Sequence, residues 1–170
     1  MKTVLYCLLL LIAPAVSFAQ STEDTIPPYK KDPNIPALKI LETDSVSFFS
    51  RDDLPKNRPV VIVYFNPDCG HCQLEAKEIA DHMATLDQAF FVWISYGHPE
   101  KEIKAFFTKY GLSKFKNVRI GQDPHYFIPS YYRVAFTPYI AVYSSKGKFV
   151  TEFRDGAQPE QLQQAIEAAK

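Results

Sequence analysis

The sequence lacks an excess of charge of either sign. It carries 19 basic and 19 acidic residues over 170 positions, with neither a long basic stretch nor a run in which arginine alternates with aromatic residues. Because nucleic-acid-binding proteins depend on such basic patches, we exclude nucleic acid as a partner. The hydrophobic content of 46% is typical of one globular domain with a sizeable core.

The sequence also lacks an apolar run that could cross a membrane, which takes about 20 residues. The N-terminal segment MKTVLYCLLLLIAPAVSFAQ has an apolar core over residues 4–12, and Pro14 interrupts the run soon after it. A lysine near the start and small residues before Gln20 complete the pattern of a secretory signal peptide. We therefore predict a signal peptide over residues 1–19, cleaved after Ala19. The mature chain would be periplasmic or secreted, with no stable membrane span.

Cysteine is scarce, with three residues in the whole chain. Cys7 belongs to the predicted signal peptide, so the mature chain keeps Cys69 and Cys72 in an exported, oxidising setting. These two can form a disulfide only with each other or with another molecule. A structural zinc site takes four ligands, usually from two such pairs, and the sequence has no second pair. His71 could supply a third soft ligand for copper(I), which leaves a copper-binding protein as an alternative.

Proline marks the N-terminal boundary of the predicted domain. The segment QSTEDTIPPYKKDPNIP, residues 20–36, has four prolines, several charges and little apolar periodicity. This composition predicts an extended linker, followed by a single domain over residues 37–170. At the start of that domain, two short apolar runs flank the turn-forming residues Thr43, Asp44 and Ser45, which predicts a β-hairpin.

A strand–helix pattern follows along the rest of the chain. RPVVIVYF at 58–65 and AFFVWISY at 89–96 are continuous apolar runs, typical of buried strands. A helical pattern follows each run, the first after Cys69 and the second near Pro99, which predicts parallel strand pairing. The C-terminal part predicts a short strand at NVRI, a helical turn near IPSYYRV, a β-hairpin and a closing helix from Pro159.

The first helix has a clear apolar face. Its periodicity predicts that Cys72, Ala76 and Ile79 are buried together, and that Glu75 lies among the polar residues off that face. The cysteine pair is therefore expected at a strand-to-helix junction.

The motif PDCGHC places its two cysteines at the start of this helix. Unpaired backbone N–H groups and the helix dipole favour the thiolate of Cys69 there, and Cys72 lies one turn further on the same face. The arrangement predicts that Cys69 attacks a substrate disulfide and that Cys72 resolves the mixed disulfide. Protonated His71 would tune the pair by stabilising the thiolate. An inert disulfide is the alternative, but so short a loop removes little chain entropy.

Two stretches resemble the thioredoxin superfamily, and more narrowly its exported TlpA/ResA-like branch of thiol–disulfide oxidoreductases. These are VVIVYFNPDCGHC and AFTPYIAVYSSKGKFV. The resemblance spans residues 37–170 and implies an α/β thioredoxin fold, a central mixed β-sheet flanked by helices, here with an N-terminal β-hairpin extension. It also implies a cis peptide bond between Thr137 and Pro138, with Pro138 against the cysteine pair and the Thr137 backbone offered to substrate. No dissociable cofactor is implied.

The sequence departs from this family in two places near the cysteines. Asp68 stands where many members have tryptophan, and its carboxylate would either oppose ionisation of Cys69 or cap the helix. Val63 stands where thioredoxin has a buried acid, so proton transfer at Cys72 would fall to Asp68, Glu75, His71 or water. The Gly-His dipeptide between the cysteines resembles protein disulfide isomerase, whereas the surrounding sequence resembles the reducing branch. The direction of electron flow is therefore open.

These observations predict an exported enzyme that exchanges disulfides with protein thiol or disulfide substrates and that is recharged by a membrane or periplasmic redox partner. The alternative is a copper-binding or redox-inert client-binding protein on the same scaffold. Four aromatic residues, which would either pack in the core or form a client-binding surface, are Tyr126, Phe127, Tyr131 and Tyr132.

Overall fold

The computed structural model describes residues 25–170, so the predicted signal peptide lies outside the described residues. A single seven-stranded sheet forms the centre of this part of the chain, in the order β2-β1-β5-β4-β3-β6-β7. The strands are β1 (Lys39–Glu42), β2 (Phe48–Ser50), β3 (Val60–Tyr64), β4 (Phe90–Ser95), β5 (Val118–Gln122), β6 (Tyr139–Tyr143) and β7 (Phe149–Phe153). The helices are α1 (Pro28–Lys31), α2 (Gly70–Asp81), α3 (Met83–Leu86), α4 (Glu100–Lys109), α5 (Phe127–Tyr132) and α6 (Pro159–Ala168).

The strands of the predicted strand–helix pattern form the middle of the sheet. Strand β3 pairs in parallel with β4, and β4 pairs in parallel with β5. Strand β6 is antiparallel to β3 and forms the predicted hairpin with β7. The side chains of residues 60–63 in β3 are all 1% exposed or less, because this β-branched run lies in the sheet interior with apolar layers on both faces.

Helices cover both faces of the sheet. On one face, apolar side chains of α2, α3, α4 and α6 form a core with β3, β4 and β5, including Ala76, Ile103 and Leu162. On the other face, α1 and α5 contribute Tyr29 and Tyr132 to a second core. The predicted thioredoxin fold, with a mixed sheet flanked by helices, is confirmed.

The predicted N-terminal hairpin extends the sheet. Strands β1 and β2 pair antiparallel, and β1 adds to the edge of β5 in the antiparallel sense. The turn forms because the Asp44 side chain accepts hydrogen bonds from the backbone N–H groups of Val46 and Ser47, at 3.0 and 2.8 Å.

Residues 25–36, which we call the N-terminal strap, lie against the domain. Tyr29 in α1 is fully buried. The Phe149 N–H donates to the Pro33 carbonyl at 2.7 Å, and the Ile35 N–H donates to the Gly147 carbonyl at 3.0 Å. Packing therefore begins well before residue 37, and the prediction that the whole of 20–36 is an extended linker is wrong for residues 28–36.

Within the described part of the chain, none of the helices is both long enough and apolar enough to span a bilayer.

The pairing of β1 with β5 gives a test of the fold. A methyl group at Gly121 would collide with the Leu41 carbonyl oxygen and approach Ile40 Cδ1 to 3.1 Å. We expect Gly121→Ala to lower the free energy of unfolding by about 1–3 kcal/mol, because backbone at the site must move. Urea unfolding followed by circular dichroism measures it.

Gly70→Ala is the matched control. A Cβ there meets nothing within 4 Å, and the position is helical, so stability should stay the same or rise by up to about 1 kcal/mol. Equal stability of Gly121→Ala and the parent would contradict the close approach of β1 and β5.

Candidate active site

The cysteine pair lies where β3 passes into α2. Cys69 is the N-cap residue of α2, with φ −80° and ψ 122°. Its N–H donates to the Asn66 carbonyl at 3.1 Å, which closes the turn before the helix. Among the described residues, no side chain caps α2. Asp68 is exposed, and within residues 25–170 only its backbone N–H is bound, to Asn66 Oδ1 at 2.8 Å, so the interpretation of Asp68 as a helix cap is wrong.

The two sulfurs have different surroundings. Cys69 is partly exposed, whereas Cys72 is buried. The thiol of Cys69 donates to the Thr137 carbonyl oxygen at 3.5 Å. Cys72 Sγ accepts a hydrogen bond from the backbone N–H of Asn66 at 3.4 Å. The first sulfur can therefore be reached from solvent and the second cannot.

This difference in surroundings shifts the pKa values of the two thiols in opposite directions. Burial acts to raise the pKa of Cys69, but hydrogen bonds, the largest of them from the backbone N–H of Cys72, outweigh burial and hold it below its ordinary value. At Cys72, burial dominates and raises the pKa to about 12. The pair consists of an accessible group that ionises readily and an enclosed group that keeps its proton.

The Thr137–Pro138 peptide bond is cis, as the resemblance implied. Pro138 is buried, and its carbonyl accepts from the Gly156 N–H at 3.1 Å. Through this bond the loop before β6 is tied to the chain after β7. The hydrogen bond between Cys69 and Thr137 places the same loop beside the accessible sulfur.

Glu75 differs from its predicted position. Its side chain is buried, 7% exposed, rather than off the apolar face of α2. Oε2 accepts from the Ala157 N–H at 3.1 Å, and Oε1 has no hydrogen-bond partner within residues 25–170. Burial raises the pKa of this carboxyl to about 7. The sequence spacing indicates that Glu75 could be buried, because residue 75 is three positions after Cys72 and shares its side of the helix.

The Glu75 carboxyl, with its raised pKa, lies beside the chain after β7 and beside Pro138. A Cβ added at Gly156 would meet Glu75 Oε2 and would lie 3.3 Å from Pro138 Cγ, so Glu75 and Pro138 both pack on Gly156. Val63, where thioredoxin has its buried acid, is fully buried in β3 and apolar.

The His71 imidazole points into solvent. Its side chain is 77% exposed, and Nδ1 lies 3.9 Å from Asp155 Oδ1. The His71 group that lowers the pKa of Cys69 is its backbone N–H; tuning by the imidazole stays a prediction. Within residues 25–170, no three histidine, cysteine or acidic side chains are arranged to hold a metal ion, so the three-ligand copper site is not assembled here.

A groove of about 920 Å³ runs past Cys69. We call it the Cys69 groove; its walls include Tyr64, Tyr126, Val134, Phe136, Thr137 and Arg154. Phe136 is 73% exposed although it is a large apolar residue. Of the four aromatic residues singled out in the sequence, Tyr132 is a core residue, Tyr131 is half-buried, and Tyr126 and Phe127 are exposed. The core interpretation is therefore right for Tyr132, and a client-binding role for the exposed Tyr126 and Phe127 stays a prediction.

Comparisons with known proteins agree with this geometry. The profile of the thioredoxin-like domain family matches residues 54–170. Comparison with curated protein sequences gives no significant match.

Solved structures of the same fold are similar over most of the chain. A secreted Mycobacterium tuberculosis disulfide oxidoreductase homologous to E. coli DsbE is 21% identical, with TM-score 0.65, over 78% of this chain and 96% of that one. A thiol:disulfide interchange protein of the thioredoxin family from Chlorobium tepidum is 15% identical, with TM-score 0.67, over 86% and 98%. The exposed lipoprotein thioredoxin of Streptococcus pneumoniae is 20% identical, with TM-score 0.60, over 78% and 99%.

At these identities the solved structures establish the fold, and the family profile, which covers more than half of the sequence, establishes the relationship. The superfamily predicted from the two motifs is confirmed, and the chain belongs to the thioredoxin-like family.

Proposed function

We propose that this protein is an exported thiol–disulfide oxidoreductase that exchanges disulfides with protein substrates through Cys69 and Cys72. The observation that carries the proposal is the contrast between the two sulfurs. Cys69 is accessible and its pKa is lowered, while Cys72 is buried one turn away with a pKa of about 12. A structural disulfide would not need this contrast, whereas an exchange reaction does.

The reaction has two steps when the pair starts reduced. The Cys69 thiolate attacks one sulfur of a client disulfide, forms a mixed disulfide and releases the first client thiolate. Cys72 then loses its proton and attacks Cys69 Sγ, which releases the second client thiolate and leaves a Cys69–Cys72 disulfide. Two electrons pass to the client, and the reverse sequence oxidises a client dithiol. A membrane or periplasmic redox partner would restore the starting state.

In the proposed reaction, Glu75 takes the proton of Cys72. With a pKa of about 12, Cys72 is almost wholly protonated near neutral pH and needs a base. The Glu75 carboxyl, on the next turn of α2, has a pKa of about 7 and a free oxygen, Oε1, among the described residues. We assign it this transfer, directly or through a water molecule.

The loop around Pro138 would receive the client. The N–H groups of Ala135, Phe136 and Thr137 donate no hydrogen bond within residues 25–170, and these residues line the Cys69 groove. An extended client segment can pair with such free backbone groups beside Cys69.

Export is the second part of the proposal. It is supported by the signal-peptide pattern over residues 1–19. One of the structurally similar proteins is a secreted oxidoreductase and another is an exposed lipoprotein.

Substitution of each cysteine tests the assignment of roles. We expect Cys69→Ser to reduce insulin at the uncatalysed rate in the presence of dithiothreitol, because the remaining thiol, Cys72, is buried and protonated. In a second assay without dithiothreitol, reduced Cys72→Ser should accumulate a mixed disulfide with insulin through Cys69, visible as a larger band on a non-reducing gel. Catalysis by Cys69→Ser at the parent rate would show that Cys69 is not the nucleophile.

Alkylation by iodoacetamide tests the two pKa shifts. Because only thiolates react and the pKa of Cys69 is lowered, Cys69 should be modified below about pH 8.5, the ordinary titration point of a thiol. Reduced Cys72 should stay unmodified over the same range, since its pKa is about 12. Mass spectrometry of the digested protein separates the two sites. Equal modification of both would contradict the assignment.

Glu75→Gln tests the buried acid in two ways. The folded state holds the Glu75 proton up to a pKa of about 7, above the value of 4.5 for the free side chain, so its contribution to stability is lost as pH rises between these values. The free energy of unfolding of Glu75→Gln, relative to the parent, should therefore increase by about 3 kcal/mol from pH 4 to pH 8. The variant should also accumulate the mixed disulfide, because Cys72 loses its base.

Glu160→Gln is the control, because Glu160 is exposed at the start of α6. It should show neither effect. A stability difference between Glu75→Gln and the parent that does not change with pH would contradict the raised pKa of Glu75.

A further inference from the structure

Arg154 lies on the wall of the Cys69 groove, and only part of its guanidinium is hydrogen-bonded within residues 25–170. The side chain is 56% exposed. Nη2 donates to Glu152 Oε1 and to Tyr29 Oη, each at 3.0 Å. Within residues 25–170 these are its two hydrogen bonds, and a guanidinium has five N–H donors. Three donors therefore remain for a molecule in the groove that contains Cys69.

Glu152 accepts hydrogen bonds from the three other side chains of this network. Its side chain is 17% exposed, and it lies on β7, opposite Ala141 of β6. Besides Arg154, its carboxylate accepts hydrogen bonds from Tyr139 Oη at 2.8 Å and from Tyr29 Oη at 2.8 and 2.9 Å. Tyr139 directly follows Pro138, so one carboxylate joins the loop beside Cys69 to the arginine across the groove.

Tyr29 brings the N-terminal strap into this network. It is fully buried, and its ring packs on those of Tyr132 and Phe149, with centroids 5.4 and 5.1 Å apart. Its hydroxyl donates a hydrogen bond to Glu152 and accepts one from Arg154, so Tyr29 contacts both members of the Glu152–Arg154 ion pair. Without this hydroxyl, Arg154 would keep a single ion pair, and a half-exposed ion pair orients a side chain weakly.

The charge and shape of the groove indicate what Arg154 would bind. Glu152 balances its charge, and the exposed Asp155 adds a second carboxylate to the groove, beside His71. The neighbouring wall is aromatic or aliphatic at Tyr126, Val134 and Phe136. Uncharged acceptors suit such a site better than a free anion. The carbonyl oxygens of an extended polypeptide are acceptors of this kind, and the unpaired N–H groups of residues 135–137 favour the same ligand.

We propose that Arg154 is a client-binding residue, which donates hydrogen bonds to main-chain carbonyl oxygens of the polypeptide whose disulfide meets Cys69, and that Tyr29 of the strap positions it. This inference rests on the proposed oxidoreductase function and adds the strap to the active site. Tyr29 acts through Glu152 and Arg154 and is a positioning residue.

A double-mutant cycle on the purified protein tests this, with insulin as the disulfide substrate. Arg154→Met and Tyr29→Phe should each raise KM by about three- to ten-fold, the loss of one or two hydrogen bonds, with little change in kcat. The double variant should be no worse than Arg154→Met, because both changes remove the same interaction. Alkylation of Cys69 by iodoacetamide, which needs no groove, should proceed at the parent rate in all three.

Tyr131→Phe is the matched control for the strap. Tyr131 Oη also ties the strap to α5, through the Asp32 carbonyl at 3.2 Å, but it does not contact Glu152 or Arg154. Its KM should equal that of the parent. A similar rise in KM for Tyr131→Phe, additive effects in the cycle, or an unchanged KM in Arg154→Met would each overturn the inference.

The test separates this inference from the proposed function. A parent protein that does not reduce insulin, while Cys69 is alkylated normally, refutes the oxidoreductase proposal and this inference with it. A parent that is active, with variants that behave as the parent does, refutes the inference alone.

Discussion

The chemistry of the site depends on unequal solvation of two sulfurs that are one helical turn apart. At the first turn of α2, backbone N–H groups point at Cys69 and compensate for the water that it has lost. At Cys72 the surrounding core removes water without equal compensation, and the pKa rises to about 12. Strand β3 leads into the start of α2, and the loop before β6 lies beside Cys69, where the Thr137 carbonyl accepts a hydrogen bond from the Cys69 thiol.

The same argument explains why an acid is buried nearby. Cys72 is stable as a thiol, and in the proposed reaction it must ionise once in each cycle. Glu75 is also buried, and burial raises its pKa to about 7. Burial of this carboxyl costs the folded state stability, and in the proposed reaction the same acid takes the proton of Cys72.

The fold was largely predictable, because its signals are local. The apolar runs at 58–65 and 89–96, the helical periodicity after each and the glycine-containing turn at Gly147 each depend on a few neighbouring residues. The reactive pair was predictable in the same way, since a Cys-x-x-Cys spacing and the strand before it are visible in one stretch of sequence.

The features that sequence reasoning missed depend on contacts between distant segments. Glu75 was assigned to the polar side because acids are seldom buried, although its position on the helix allowed burial. Tyr29 and Glu152 are 123 residues apart and meet only in the folded chain. A proline-rich, charged segment is usually a linker, but this one joins the domain through the buried Tyr29 and through backbone hydrogen bonds of Pro33 and Ile35 with distant residues.

The strap has one more effect, on the edge of the sheet. An uncovered edge strand can pair with a strand of another molecule and so start aggregation. Strand β7 is one edge of this sheet, and its start is occupied by the strap through Asn34 and Pro33, opposite Lys148 and Phe149. At the other edge, β2 has three residues, too few to offer a long pairing surface. Within the described chain the sheet thus ends in one edge that is partly covered and one that is short, an arrangement that disfavours association between molecules.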